Sequence, residues 1–288
     1  MIPLIFSIFS STIIFVIFKL FKRFKIDTFQ AIVFNYFTAA IIGFSLYSTT
    51  WKLNSLENPQ WIPFALLCAS LFIGLFFMMG KSAQINGVAS TSIAVKMSMA
   101  VSLILMVFWY SEHVSILKTV GISLAFTGVL LVSLSKRKLK SKATTAWMLL
   151  LLFVGSGVLD FTLNFVQKNV LGPITPSLFT AITLGLAGVI GSIILILTIR
   201  KNKTRIKLKN IIAGVILGVP NYFAIYLLLL SYRTTGWNAS TVLAITNVSV
   251  VLCSAIIGFT LFKETKTRTR LIGLLAAISA IIILYFEH

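Results

Sequence analysis

Long apolar stretches separated by short polar joints run the whole length of the chain. Apolar runs of about 18 or more residues are long enough to cross a bilayer's hydrocarbon core as helices. Ten such runs are read, at 2–18, 29–47, 61–80, 85–110, 115–134, 144–167, 175–199, 211–231, 238–262 and 269–286. Their apolar residues are continuous and not alternating, which selects helices over a β-barrel. The longest polar joint, 48–60, is too short to fold as a domain. The pattern predicts an all-α membrane protein with ten transmembrane helices.

The pattern also comes twice. Ala89-Ser90-Thr91 leads into an apolar stretch, then Glu112 and Gly121; Ala239-Ser240-Thr241 leads into another, then Glu264 and Gly273. The copies divide the chain into five-helix halves, 1–140 and 141–288. Duplicated halves with no soluble domain are a common construction of secondary transporters, in which the halves rock about a central site.

Composition agrees with the pattern. Of 288 residues, 58% are hydrophobic and 11% are charged, and mean hydropathy is +1.01. A soluble domain of this size has too little interior to hide that much apolar surface.

A net charge of +19 raises nucleic acid as a partner, but its placement argues for a lipid surface. Basic clusters lie at Lys19/Lys22/Arg23/Lys25, at Lys136/Arg137/Lys138/Lys140/Lys142, at Arg200/Lys201/Lys203/Arg205/Lys207/Lys209 and at Lys263/Lys266/Arg268/Arg270. With Lys81 these put 20 cations in the odd-numbered connections, against 4 in the even-numbered ones: Lys52, Lys118, Lys168 and Arg233. Short loops rich in Lys and Arg stay cytoplasmic, so the odd connections are expected inside and both termini outside. The charge then serves topology and anionic headgroups, with no nucleic acid as partner.

Other chemistry is thin. The first apolar run is not preceded by positive charge and lacks a small-residue cleavage site, so it is read as a span and not a signal peptide. Cys68 and Cys253 sit singly inside apolar spans and are read as packing residues. Gly80-Lys81-Ser82 resembles the end of a phosphate-binding loop, but that motif needs a glycine where Leu75 stands. Only two histidines occur, His113 and His288, and no nucleophile elbow is present. The reading is of no enzyme, with no metal and no cofactor.

Two residues are costly in a bilayer. Lys96 lies more than ten residues from either end of the fourth span, about 16 Å of helix. Snorkelling over that distance is a poor escape, and a charge at the bilayer centre costs about 2.5–3.5 kcal/mol on insertion scales. Lys96 therefore faces a wet cavity or a partner, or is tied to backbone carbonyls. Asp160 is the one acidic residue well inside an apolar span. Ser156, Asp160, Asn164 and Lys168 recur every four positions on the sixth span and make one polar face. Three roles are open to Asp160: a proton-coupling group, a fixed counter-ion to Lys96, or a helix-packing hydrogen bond.

Further polar positions occur in both halves: Asn35 and Tyr36 on the second span, Asn221 and Tyr222 on the eighth, and Asn247 on the ninth, near Lys96's place in the repeat. Together with Lys96, Asp160 and Asn164 they form the candidate substrate-binding set. Glycines at 214 and 218, at 185, 188 and 191, and at 121 and 128 are read as close helix contacts, and Pro220 as a kink in the eighth span.

The repeated Ala-Ser-Thr, glutamate and glycine positions resemble the EamA-type, ten-helix branch of the drug/metabolite transporter superfamily, over essentially the whole chain. The resemblance implies two inverted five-helix repeats, a central cavity lined mainly by the first four helices of each half, and peripheral fifth and tenth helices. The chain departs from it in two ways. Prolines about 13 residues before the glutamates are replaced by Met99 and Val251, and relatives of known orientation tend to have cytoplasmic termini.

The expected function is a secondary transporter of the cytoplasmic membrane, moving a small organic metabolite by alternating access, with export favoured. A cavity holding Lys96 and Asp160 suits an amino acid or other zwitterion. The alternative is a membrane enzyme or lipid-handling protein using the same polar groups; a channel is disfavoured because single charges do not form the rings usual in pores. Monomer and homodimer are both open. The charge asymmetry makes a direct prediction: reporter fusions at His288 and in the 48–60 joint give extracytoplasmic signals, and a cytoplasmic signal at His288 would reverse the topology.

Overall fold

The computed structural model describes residues 1–47, 59–110, 115–134, 143–170, 176–202, 205–237, 239–264 and 267–286. Most of the 48–60 joint, Glu112, His113, the basic cluster at 136–142 and His288 lie outside them.

Eleven α-helices and no strand occur among the described residues. They are α1 (Ile2–Arg23), α2 (Thr28–Tyr47), α3 (Ile62–Asn86), α4 (Val88–Lys96), α5 (Met99–Tyr110), α6 (Ile116–Leu134), α7 (Ala143–Asn169), α8 (Pro176–Asn202), α9 (Leu208–Thr234), α10 (Ala239–Thr260) and α11 (Arg268–Phe286). Seven stretches among these residues are long and apolar enough to cross a membrane, with α4 and α5 together forming one of them. Helices outlast several apolar runs because their ends continue into polar residues: α1 reaches Arg23, and α3 runs through Gly80-Lys81-Ser82 to Asn86. Lys81 lies 4.5 Å from the centre of the Phe77 ring, one turn back.

The expected single helix over 85–110 is two. Gly87 starts α4 with φ 92° and ψ 162°, a region essentially restricted to glycine. The second break, at Met97–Ser98, needs no proline. The amides of Ala100 and Val101 bond three residues back, to Met97 and Ser98, as in a 3₁₀ turn. The Ser98 hydroxyl contacts the Val95 carbonyl, which draws that backbone acceptor away from the ladder. In the second half, α10 is continuous through the matching positions, and α9 is continuous through Pro220.

Helices of the two halves interleave. Following the sequence repeat, α1 corresponds to α7, α2 to α8, α3 to α9, α4–α5 to α10 and α6 to α11. The packing is reciprocal under that correspondence. α2 packs on α9 as α3 packs on α8, and α1 on α9 as α3 on α7; α1 meets α10 as α4 and α5 meet α7. The pairs α2–α8, α4–α10 and α6–α11 join corresponding helices directly.

Glycines set the closest crossings. A Cβ on Gly214 would lie 2.5 Å from the Ala31 carbonyl oxygen, and one on Gly218 would lie 2.7 Å from the Asn35 carbonyl, so α9 and α2 touch backbone to backbone. Gly128 meets the Gly273 carbonyl in the same way, at 3.0 Å, where α6 crosses α11. Cys68 is buried as expected, whereas Cys253 is exposed on the outer face of α10 and does not pack in the interior.

The ends of the helices that carry basic connections are joined by polar bonds. The Asp27 carboxylate accepts the amides of Phe29 and Gln30, each at 3.0 Å, and caps α2. Asn210 at the start of α9 donates to Gln30 Oε1 at 2.7 Å and accepts the Asp27 amide at 3.1 Å. Gln84 of α3 donates to Thr28 at 2.7 Å.

Two glycine substitutions separate crossing from propensity. Gly74 on α3 has open space where a Cβ would go, so Gly74→Ala keeps or raises the thermal midpoint in detergent, by up to about 1 kcal/mol of helix propensity. Gly214→Ala places a methyl against the α2 backbone and lowers the midpoint, with an overpacking cost of about 1–3 kcal/mol. Equal midpoints for the two variants would refute the close α2–α9 crossing.

Candidate functional site

A cavity of about 120 Å³ lies where the two halves meet, room for several waters or a small organic group. Its walls come from α1, α3 and α4 of the first half and α7 and α9 of the second. The lining positions sit in the middle of their helices or on the side away from the basic connections. On α1 they precede Lys19, and on α9 they run from Asn221 to Tyr232, far from the Leu208 end.

Both costly residues face this cavity. Lys96 is the last residue of α4 and Asp160 lies on α7. The break after Lys96 changes its setting: the residue is the last of α4, directly before the turn at Met97–Ser98 that leads into α5. Among the described residues, Lys96 and Asp160 make no direct ion pair within 4 Å; the pair that forms is Lys19 with Glu264. Both nevertheless line the same cavity.

The break and the carboxyl are built together. A Cβ on Gly157 would lie 2.7 Å from the Ser98 carbonyl oxygen and 2.5 Å from Val101 Cβ, so α7 presses its backbone against the turn between α4 and α5. One helical turn later, Asp160 Oδ2 lies 3.3 Å from Ser98 Oγ. The serine has one proton to share between that oxygen and the Val95 carbonyl. The site therefore holds a cation at one helix end and a carboxyl whose hydrogen bond is shared, with space between them.

The remaining polar lining is Ser11, Ser156, Asn221 and Tyr232, and the rest is largely apolar, including Phe15, Phe72, Phe76 and Met79. Asn221 is buried, and its side-chain amide nitrogen has no hydrogen-bond partner. An unpaired buried donor beside a cavity is a group left for a ligand or water.

Of the eight candidate residues, Lys96, Asp160 and Asn221 line the cavity. Asn164 is buried but off the lining. Each step of four residues turns a helix by about 40°, so two steps from Ser156 carry Asn164 well round the face. Asn35 and Tyr36 are buried on α2 against the crossing helices, with the Tyr36 ring 5.7 Å from Phe76. Tyr222 fills the groove left by Gly43 and stacks on Tyr226 at 5.5 Å. Asn247 is buried in α10, with its amide nitrogen unpartnered and no place on the lining.

Sequence reasoning missed Ser98 and Tyr232. Tyr232 was readable from spacing, because Asn221, Ile225, Leu228 and Tyr232 recur at helical intervals on α9. Ser98 carried no signal apart from its place two residues after Lys96.

Comparison with known proteins matches residues 140–286 to the EamA-like transporter family, slightly more than half of the chain. An uncharacterized protein of Haemophilus influenzae is 27% identical over 293 residues, covering 98% of this chain and 97% of the relative. A crystal structure described only as that of a protein superposes with a TM-score of 0.63 at 12% identity, over 98% of both chains, a likeness of fold. The helical membrane architecture, the duplicated pattern and the family match agree: this chain is a multi-pass membrane protein belonging to the EamA-like transporter family.

Proposed function

We propose that the protein is a secondary transporter that carries a small zwitterion with an apolar body, such as an amino acid, across the cytoplasmic membrane, with export as the favoured direction. The observation that carries this reading is the cavity between the halves, onto which Lys96 and Asp160 both face. A carboxylate on the substrate meets the Lys96 ammonium, an ammonium meets Asp160, and the unpaired Asn221 amide N–H donates to an acceptor oxygen of the substrate. Charge-assisted bonds of this kind are about twice as strong as neutral ones. The apolar lining, with Phe15, Phe72 and Phe76, takes the body of the molecule.

Alternating access follows from the construction. The reciprocal packing of α1–α6 and α7–α11 supports two inverted repeats, 1–140 and 141–288, rocking about the cavity. The family match begins at residue 140, at the start of the second of these repeats. Asp160 is the candidate proton-coupling group, and Ser98 is positioned to hand its hydrogen bond between Asp160 and the Val95 carbonyl as the protonation state changes.

Counterflow in proteoliposomes, with a panel of labelled neutral amino acids and with or without a proton gradient, tests the reading. At least one neutral amino acid exchanges, while its counterparts with an added charge do not; absence of exchange across the panel would defeat the assignment. Asp160→Asn keeps size and hydrogen bonding but removes titration, so gradient-driven transport is lost while exchange persists. Wild-type accumulation by Asp160→Asn would make the carboxyl structural. Lys96→Met raises the half-saturation concentration by about tenfold or more, the loss of a hydrogen bond to a charged group.

A further inference from the structure

The mechanism above leaves one buried acid unused. Glu264 follows α10, and its side chain is only 7% exposed. Its Oε1 accepts the Val88 amide at 2.7 Å, and Oε2 approaches the Ala89 amide at 3.3 Å. Lys19 Nζ of α1 lies 3.5 Å from Oε1. One carboxylate of the second half thus caps α4 and pairs with α1, both in the first half. It lies at the helix ends that carry the basic connections, the opposite side from the cavity's outer walls.

The backbone around this contact is unusual on both sides. Lys263 has φ 49°, a left-handed conformation that costs a non-glycine residue about 1–2 kcal/mol. It folds the chain back so that the Glu264 amide bonds the Gly258 carbonyl at 2.9 Å, which aims the carboxylate at α4. On the receiving side, Gly87 occupies a glycine-only conformation, and a Cβ there would lie 2.7 Å from Oε1. A Cβ on Gly258 would lie 3.0 Å from Oε2. The carboxylate is therefore housed between two glycines, and the surrounding contacts hold the left-handed backbone at Lys263 in place.

The helix it caps is the short α4, whose other end is Lys96. The nine residues of α4 form a rod of about 13 Å, fastened at one end by Glu264 and presenting a cation to the cavity at the other. We propose that Glu264 is the gating latch of this transporter: its contact with the α4 N-terminus and Lys19 holds the basic-connection face closed, and its release opens the cavity to that face. The proposal rests on the transport reading. Through α4, a ligand that pulls on Lys96 is mechanically linked to the latch.

The test needs no known substrate. A cysteine at Ser156 on the cavity wall, in a chain whose Cys68 and Cys253 are replaced by alanine, is labelled by a membrane-impermeant thiol reagent from each face of oriented vesicles. A Lys22→Cys chain identifies the basic-connection face. The parent protein labels from the opposite face and slowly from the basic face. Glu264→Ala raises labelling from the basic face by about fivefold, the shift in population expected when a helix cap is lost. Lys19→Met, which spares the two backbone bonds, gives a smaller rise in the same direction. Unchanged basic-face labelling in both variants overturns the latch, and if Glu264→Ala does not fold, an unchanged rate in Lys19→Met is sufficient to do so. Labelling of Ser156→Cys from neither face in any variant would instead remove the cavity on which the transport reading rests.

Discussion

An ammonium and a carboxyl sit in the middle of an apolar bundle, and much of the surrounding structure answers to their cost. A charge facing hydrocarbon is penalised heavily, so Lys96 and Asp160 must share a polar interior. The molecule provides one by placing both on a single cavity between its halves. It also breaks the fourth span directly after Lys96, where the turn at Met97–Ser98 separates α4 from α5. The backbone groups freed by that break are met locally, by 3₁₀ bonds and by Ser98, as any irregular backbone at membrane depth must be.

The same break ties the site to the frame. Gly157 lets α7 approach the turn closely enough for Asp160 to reach Ser98, so the acid on one half is registered against the broken helix of the other. Backbone contacts through Gly214 and Gly218 hold α9, which supplies Asn221 and Tyr232, against α2. Small residues are needed there because lipid offers no hydrophobic drive for helix association, leaving close van der Waals contact and hydrogen bonds to hold the bundle.

Much of this architecture was legible in the sequence, because membrane helices announce themselves by length and hydropathy and buried charges by their rarity. Lys96, Asp160 and the small-residue crossings could all be read that way. The break at Met97–Ser98 could not, since neither proline nor glycine marks it and a serine back-bond depends on tertiary context. Asn164 lies off the cavity lining, because an α-helix drifts by about 40° at each four-residue step. Asn35, Tyr36 and Tyr222 look like pocket residues by type, yet Asn35 and Tyr222 sit at glycine crossings and Tyr36 packs against Phe76. Glu264 stood out as half of a repeat, but its role as a cap depends on the left-handed turn at Lys263.

The central claim is that Lys96 holds the carboxylate of a zwitterionic substrate. Direct binding of the best-exchanging amino acid and of its methyl ester, which lacks the anionic group, tests it in the parent protein and in Lys96→Met. The parent prefers the free acid by about tenfold or more, the worth of a charge-assisted bond, and Lys96→Met binds acid and ester alike. A Lys96→Met protein that still discriminates as the parent does would contradict the claim.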